Sequence, residues 1–388
     1  MTLQEPVTED EAACGERWRA FALRHVAPFA DAIDRDERIP PEVVASLREA
    51  GAFASGFPEV FGGTPGSDRD PAGAAIRHGL LHEALGAASA SVQGLVNVHH
   101  MGGSAIARWG TAAQKSHWVP LLTSGAQIAA LAITEPNVGS NAAAAETRAT
   151  RDGEGWSITG TKCWITCGQS ADVFVLVAGS DDGPTTFIVP RDSEGLTVEP
   201  ITGMLGCRGY MMARLHLQDC RLPAENLLGR PGFGVSHVAS TGLDSGRYNL
   251  AWGCVGLASA CLDAAFAHTR ARRQFDAPLS SFQLVQQLIT RMMTDVHAAR
   301  LMCREAGVMR GLRDPQAIKQ GAMAKYFAST MVNRVASDAL QLHGAQGCGP
   351  DLPLQRYFRD ARIMEIIEGT TQILEGLIAR LGYQDQAL

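Results

Sequence analysis

The chain predicts an α+β, mainly α fold, with an N-terminal helical domain, a middle antiparallel β domain and a C-terminal helical domain. Three observations predict it. Apolar residues recur at three- and four-residue spacing over roughly the first 125 positions. Short β-rich runs separated by turn residues, with no helices between them, fill the next hundred or so. Helical periodicity then returns and persists to the end. A length of 388 residues suits two or three domains, and the changes of texture put them at 1–128, 129–232 and 233–388.

In the first domain, Trp18, Phe21, Ala22, Val26, Phe29 and Ile33 form one apolar helical stripe. Pro40-Pro41 opens a second helix, where proline is tolerated, and Gly51 closes it. Ala74 to Leu85 and Val96 to Trp109 read as further helices. In the second domain, runs beginning at Trp156, Val173, Thr185 and Arg214 alternate with Gly153, Gly155, Asp181-Asp182-Gly183 and Asp192 to Gly195. This predicts an antiparallel barrel or sandwich. Beyond Gly229 to Gly234, Val255, Ala258, Leu262 and Ala265 line one helix face. Leu284, Leu288, Met292 and Val296 line another, with Val285, Ile289 and Met293 beside them. Both stripes read as core.

Composition narrows the function. Hydrophobic residues make up 46% and charged residues 19%, which excludes a mainly disordered chain. The 34 basic and 40 acidic residues give a net charge of −6, so nothing argues for a nucleic-acid partner. No apolar run approaches the roughly 18–20 residues of a membrane span. Glu5, Glu9, Asp10 and Glu11 stand where a signal peptide needs positive charge. A soluble, cytoplasmic protein is expected. The nine cysteines contain no Cys-x-x-Cys pair and read as reduced, space-filling thiols. The 41 glycines imply tight turns and close backbone approaches.

No dinucleotide-binding glycine turn, phosphate-binding loop, nucleophile elbow or zinc helix motif is present. His99-His100 is the most tempting metal pair, but adjacent helical side chains point apart, so no metal is expected. Three segments stand out. Ala132 to Asn141 breaks from an apolar run into Pro and Gly, exposing Thr134, Ser140 and backbone N–H groups that suit a phosphate-bearing ligand. Gly160 to Gly168 offers the Trp164 ring and the Thr166 hydroxyl on one strand face. In Arg359 to Thr371, Glu368 meets Gly369 beside Ile366 and Ile367, and Thr370 or Thr371 could cap the next helix. Desolvation there would raise the carboxyl pKa, as a general base near neutral pH needs. Taken singly, these segments also read as a flexible loop, a buried strand tryptophan and a helix-break glutamate.

Their order is more specific. Thr-Glu-Pro-x-x-Gly-Ser at 134–140, Trp-Ile-Thr at 164–166, Arg-Arg-Gln-Phe at 272–275, Gln341 to Gly347, and Arg-Asp-Ala-Arg through Glu-Gly-Thr at 359–370 follow one another. From Pro58 to Ala379 the chain resembles the acyl-CoA dehydrogenase family of flavoproteins. The resemblance implies FAD, a C-terminal four-helix bundle and a homo-oligomer, either dimer or tetramer. It implies that Thr134, Ser140, Trp164 and Thr166 contact the flavin and its pyrophosphate. Arg272, Phe275, Gln283, Gln341, Gly344, Ala345, Thr370 and Gln372 would contact FAD across a subunit interface or near the base. Asp244 and Arg247 would meet the substrate's pantetheine arm, with Ser140 and Gly369 near the substrate, and Glu368 would be the catalytic base. A separate electron acceptor would reoxidise the flavin.

Asn141, Ala345 and Ile367 depart from the usual Asp, Gly and Tyr of the family, all near the implied acyl group. Gly206-Cys-Arg208, Arg247 to Gly256, Cys261 and Met364 to Gly369 resemble the family's dehydrogenases of hydroxymalonyl and methoxymalonyl extender-unit biosynthesis in polyketide pathways, many leading to antibiotics. That implies a three-carbon hydroxy- or oxo-acyl group on an acyl carrier protein. A short-chain or dicarboxylic acyl-CoA substrate is the alternative, because part of this pattern is shared with glutaryl-CoA dehydrogenases. A redox-silent scaffold that binds carrier proteins is a third reading, disfavoured by the presence of Glu368 and the FAD contacts.

Overall fold

The computed structural model describes residues 8–386, so Glu5 lies outside the described residues. Six helices come first: α1 (Glu9–His25), α2 (Ala30–Asp36), α3 (Pro41–Glu49), α4 (Pro71–Ala88), α5 (Ala90–Trp109) and α6 (Ala112–Thr123). Strands β1 (Ala129–Ala132), β2 (Arg148–Asp152), β3 (Gly155–Ile165), β4 (Val173–Ser180), β5 (Gly183–Pro190), β6 (Leu196–Pro200), β7 (Ala213–Leu222) and β8 (Leu227–Leu228) follow. After them come α7 (Ser240–Ala271), the small hairpin β9 (Arg273–Gln274) and β10 (Ala277–Pro278), α8 (Gln283–Gly311), α9 (Ala317–His343), α10 (Ala345–Cys348), α11 (Leu354–Met364) and α12 (Thr371–Gln386).

Capping explains several helix starts. The Thr8 hydroxyl accepts from the Glu11 N–H, and Glu11 accepts from the Thr8 N–H; Thr111 and Gln114 do the same for α6. The first apolar stripe is buried at Trp18, Ala22, Val26 and Ile33. It does not ride on one helix, however. Pro28 lacks an N–H and crowds the preceding turn, so α1 ends at His25 and a 3-10 turn over Ala27–Phe29 leads into α2.

The main sheet runs β6-β7-β3-β2-β4-β5-β8, with β1 on β4. Most of its pairs are antiparallel, as the sequence predicts, but β1 and β2 each pair with β4 in parallel. The chain between β1 and β4 is long enough to cross over, which parallel pairing requires. Every residue of β4 is buried, as suits a strand covered on both faces.

The 32-residue α7 is the central rod of the C-terminal half. It packs against α8 and α9 there and against α4 and α5 of the N-terminal half, joining the two. Glycines set the closeness of α4 and α7: a Cβ on Gly256 would lie 1.9 Å from the Glu83 carbonyl oxygen, and one on Gly86 would lie 2.3 Å from that of Gly253. Against expectation, the stretch Gly234–Ala271 is apolar and long enough to span a membrane, but 61% of its apolar window is buried inside the fold. It owes its composition to contacts on all sides.

The second stripe expected to be core is divided. Met292 and Val296 are buried, whereas Leu284 is 77% exposed and Met293 is also open. The fully buried positions of α8 all lie between Met292 and Gly307, while in its first turns Val285, Leu288 and Ile289 are partly buried against the core and Leu284 faces away from it. Seven of the nine cysteines are buried, Cys348 is exposed, and none is paired.

Candidate functional site

Helix α11 ends at Met364, and the chain reverses before α12. Glu368 and Gly369 adopt left-handed φ values of 58° and 97°. A left-handed glutamate is strained and needs support from its surroundings. Arg247 on α7 donates from Nε to the Glu368 carbonyl at 3.1 Å, and Lys325 on α9 donates from Nζ to the Gly369 carbonyl at 2.9 Å. The Thr371 N–H returns to the Glu365 carbonyl at 3.2 Å, and the Thr370 hydroxyl caps α12 through the Ile373 N–H at 3.4 Å.

This reversal presents the Glu368 side chain to α5 and α7. Its Oε1 accepts from Asn97 Nδ2 at 3.2 Å, while Oε2 is enclosed and has no partner. A Cβ on Gly246 would lie 2.5 Å from Oε2 and 2.7 Å from Met101 Sδ, so only glycine leaves the carboxylate its place. Burial pushes the Glu368 pKa up to about 7, opposed by Arg247, Lys325 and Asn97. Of the two neighbours expected, Ile366 is half-exposed and Ile367 is partly buried against the core, while Met101 of α5 and Gly246 of α7 close on the carboxylate from the other side. Burial also lowers Lys325, to about 8.

Two other segments are locked together by a buried ion pair. Lys162 Nζ lies 2.6 Å from Glu135 Oε1, with both side chains enclosed, and donates to the Ile133 carbonyl at 2.9 Å. Glu135 also accepts from the backbone N–H groups of Glu146 at 2.5 Å and Thr147 at 3.0 Å. The Cys163 N–H donates to the Thr134 carbonyl at 2.9 Å. The turn carrying Thr134 and Ser140 is therefore fixed against the end of β3, where Trp164 sits in a bulge at φ 58°. Trp164 keeps 50% of its surface open, Ile165 turns inward, and Thr166 turns outward again.

The turn before β7 brings these two regions together. The Cys167 N–H donates to the Tyr210 carbonyl at 2.7 Å, and Gln169 Nε2 donates to the Met212 carbonyl at 2.8 Å. The Tyr210 ring lies on Gly94 of α5, one turn before Asn97; a Cβ at Gly94 would meet it at 2.0 Å. The Gly206-Cys-Arg208 and Arg359-Asp360 motifs also meet here: the Cys207 N–H donates to Asp360 Oδ1 at 2.6 Å, and Arg359 pairs with Asp34 at 2.5 Å. In this chain both motifs stitch α2 and α11 to the sheet.

Asp244 is paired with Arg310 at 2.5 Å and lines a cavity of about 680 Å³ along α7, together with Ser55, His78, Ser104, Ser245 and Asn249. The remaining predicted residues lie elsewhere. Phe275 and Asp276 form the left-handed turn of the β9–β10 hairpin, and Phe275 is 90% exposed. Arg272, Gln283, Gln341, Gly344, Ala345 and Gln372 are also exposed, and none shares a hydrogen bond with Thr134, Ser140, Trp164 or Thr166. Within one chain these groups stay apart.

Sequence reasoning missed Asn97, Gly246 and Lys325, whose partners are remote in sequence. It also left His100 without partners, and the fold supplies two: His78 and His82 of α4, with nitrogens of the three rings within 4.8 Å of one another. Hydrogen bonds occupy most of these nitrogens. His78 bonds Ser55 and Asn249, and His82 bonds Gln93 and His100, at 2.9 to 3.3 Å. Burial pushes all three below the ordinary imidazole range, so the cluster is a neutral polar core.

Three family models match in sequence order: the acyl-CoA dehydrogenase N-terminal domain over residues 8–126, the middle domain over 130–220 and the C-terminal domain over 234–382. The short-chain specific acyl-CoA dehydrogenase of mouse mitochondria is 35% identical over 369 residues, covering 93% of this chain and 87% of its own. A glutaryl-CoA dehydrogenase from Mycobacterium smegmatis, solved with FADH2, superposes with a TM-score of 0.89 at 28% identity, covering 96% and 94% of the two chains. FkbI, described as serving biosynthesis of the methoxymalonyl extender unit of a polyketide immunosuppressant, superposes at 0.85 with 29% identity over 94% and 99%. The residues present suit FAD: a half-open indole at the end of β3 with the Thr166 hydroxyl just past it, and a loop whose Gly139 faces open space next to Ser140. With three family models matched in order over most of its length and 94–96% of the chain superposing on these solved structures, this FAD-dependent oxidoreductase belongs to the acyl-CoA dehydrogenase family.

Proposed function

We propose that the protein oxidises a short acyl thioester with Glu368 as the base, and that the acyl group is a three-carbon hydroxy- or oxo-acyl unit on an acyl carrier protein. The observation that carries the first part is the Glu368 carboxylate: enclosed, with Oε2 unpartnered and its pKa raised to about 7. A base for a weakly acidic proton works best when its pKa lies near the working pH. FAD, when bound, accepts the hydride that leaves the β-carbon. Glu368 takes the accompanying proton, from the α-carbon in a desaturation or from the hydroxyl in an alcohol oxidation. Arg247 and Lys325 hold the Glu368–Gly369 backbone in place while the side chain changes charge. Trp164 and Thr166 would hold the flavin ring, and Thr134 and Ser140 its polar edge and pyrophosphate.

The motif resemblance to the extender-unit dehydrogenases supports the carrier-protein substrate. In a homo-oligomer, Phe275, Arg272, Gln283 and the Gln341–Ala345 turn of one copy would complete the FAD site of another. The second reading, a short-chain or dicarboxylic acyl-CoA, is favoured by the 35% identity to the short-chain enzyme.

Anaerobic bleaching of the flavin tests both readings. One panel holds short acyl-CoAs, including butyryl and glutaryl; the other holds three-carbon hydroxy- and oxo-acyl groups on a carrier protein. Bleaching by the second panel alone is expected. Bleaching by an acyl-CoA would return the protein to acid catabolism. A colourless protein that cannot be reloaded with FAD would instead be a scaffold.

A further inference from the structure

Asn97 is 3% exposed and stands on α5 directly against Glu368. An ionised carboxylate can only accept, so the Asn97 amide must turn its Nδ2 toward Glu368. Its Oδ1 is then left buried and without a partner. Amide oxygen and nitrogen lie roughly 2.2 Å apart by covalent geometry, which puts Oδ1 within about 5.5 Å of the carboxylate. A buried acceptor with no donor is costly in a finished core, at about 1–3 kcal/mol. Beside it Glu368 Oε2 is a second unpartnered acceptor. A ligand that brings hydrogen-bond donors would satisfy either acceptor.

The core around Asn97 is polar too. Gln93, Asn97, His100 and Ser104 recur at three- and four-residue spacing on α5, and His82 of α4 and Asn249 of α7 hydrogen-bond into that row. Asn97 therefore stands in a polar row rather than an aliphatic one. From this we infer that Asn97 determines specificity: its Oδ1 accepts a hydrogen bond from an O–H on the α- or β-carbon of the acyl group, and so selects hydroxyacyl over unsubstituted acyl thioesters. This rests on the reading of Glu368 as the base beside the acyl group, and it holds whichever carrier bears the thioester.

The experiment compares wild type with Asn97→Leu and Asn97→Asp in the FAD-loaded protein. 3-Hydroxypropionyl and propionyl thioesters are presented on both CoA and a carrier protein. Calorimetry gives Kd, and stopped-flow flavin reduction gives rate. Wild type should bind the hydroxyacyl group roughly 10- to 100-fold more tightly than the unsubstituted one. Asn97→Leu should lose that preference while still binding propionyl. Asn97→Asp keeps an acceptor and should keep the preference, with its pH profile moved upward by the added negative charge beside Glu368. A preference surviving in Asn97→Leu, or an equal loss for both thioesters, overturns the assignment, as does a wild type without preference. Should Asn97→Leu fail to fold, Asn97→Ala, which also lacks an acceptor, reads the same ratio. If no thioester reduces wild-type flavin, the proposed reaction fails, and the calorimetric ratio still decides whether Asn97 selects the hydroxyl.

Discussion

Arg247 donates to the backbone carbonyl of Glu368 at 3.1 Å while its positive charge also favours the ionised form of the same residue's carboxylate. One side chain thus fixes a strained peptide and tempers the proton affinity of the group that peptide carries. Lys325 does the same from the other side, through Gly369.

The first prediction concerns pH. Glu368 titrates at about 7 in the fold, against an ordinary value of 4.5. Flavin reduction by substrate should therefore rise with pH through about 7. The stability effect has the opposite sense. The fold holds the proton more tightly than the unfolded chain does, so this contribution is complete below pH 4.5 and is lost as pH rises through about 7. Glu368→Gln should abolish reduction, keep FAD bound, and gain about 3 kcal/mol over wild type at pH 8 but little at pH 4.5. Denaturant melts at the two pH values check the sign.

Removing a cation should move the same titration. Lys325→Met leaves the Gly369 carbonyl without its donor and takes a positive charge from the neighbourhood of Glu368. The midpoint of the pH–rate profile should shift upward, measured by single-turnover flavin reduction between pH 5.5 and 9. A downward shift would show that Lys325 acts on Glu368 by some route other than charge.

Gly246→Ala sets two effects against each other. Alanine favours the helix by about 1 kcal/mol over glycine, yet its Cβ would stand 2.5 Å from Glu368 Oε2. Stability should change little, whereas the reduction rate should fall about 100-fold as the carboxylate is displaced. An unaltered rate would mean that the carboxylate can move without consequence.

Lys162→Met should cost about 3–5 kcal/mol, because it strands the buried Glu135 carboxylate. Loosening the Thr134–Ser140 turn should also lower the FAD content of the purified protein. Urea unfolding and the ratio of flavin to protein absorbance read the two effects separately.

Phe275→Ser combined with Leu284→Ser addresses assembly. Both residues are open in the single chain, at 90% and 77%, so each change should alter monomer stability by no more than about 0.5 kcal/mol. Sedimentation should nevertheless show smaller species, and FAD should bind less tightly. An unchanged oligomer would remove these residues from the interface.

Much of the fold was legible in the sequence because it depends on periodicity and punctuation. The α-β-α order, the Thr370 cap and the turn at Gly369 all follow from local patterns of side-chain type. Where local reading fell short, a longer-range cause was at work. Pro28 broke a stripe that spacing alone joined, β4 accepted parallel partners through a long crossover, and Leu284 was left outside because it faces away from the core on which Val285, Leu288 and Ile289 of the same turns pack.

By itself the sequence singled out Glu368 as the candidate base, since the motif at 359–370 points to it whatever surrounds it. Only the tertiary structure decided what that carboxylate is. Its proton affinity comes from burial against Met101 and Gly246, from a hydrogen bond to Asn97, and from the charges of Arg247 and Lys325. These groups lie between 43 and 271 positions away along the chain. Desolvation and Coulomb interaction act through space, and no spacing along the chain encodes them.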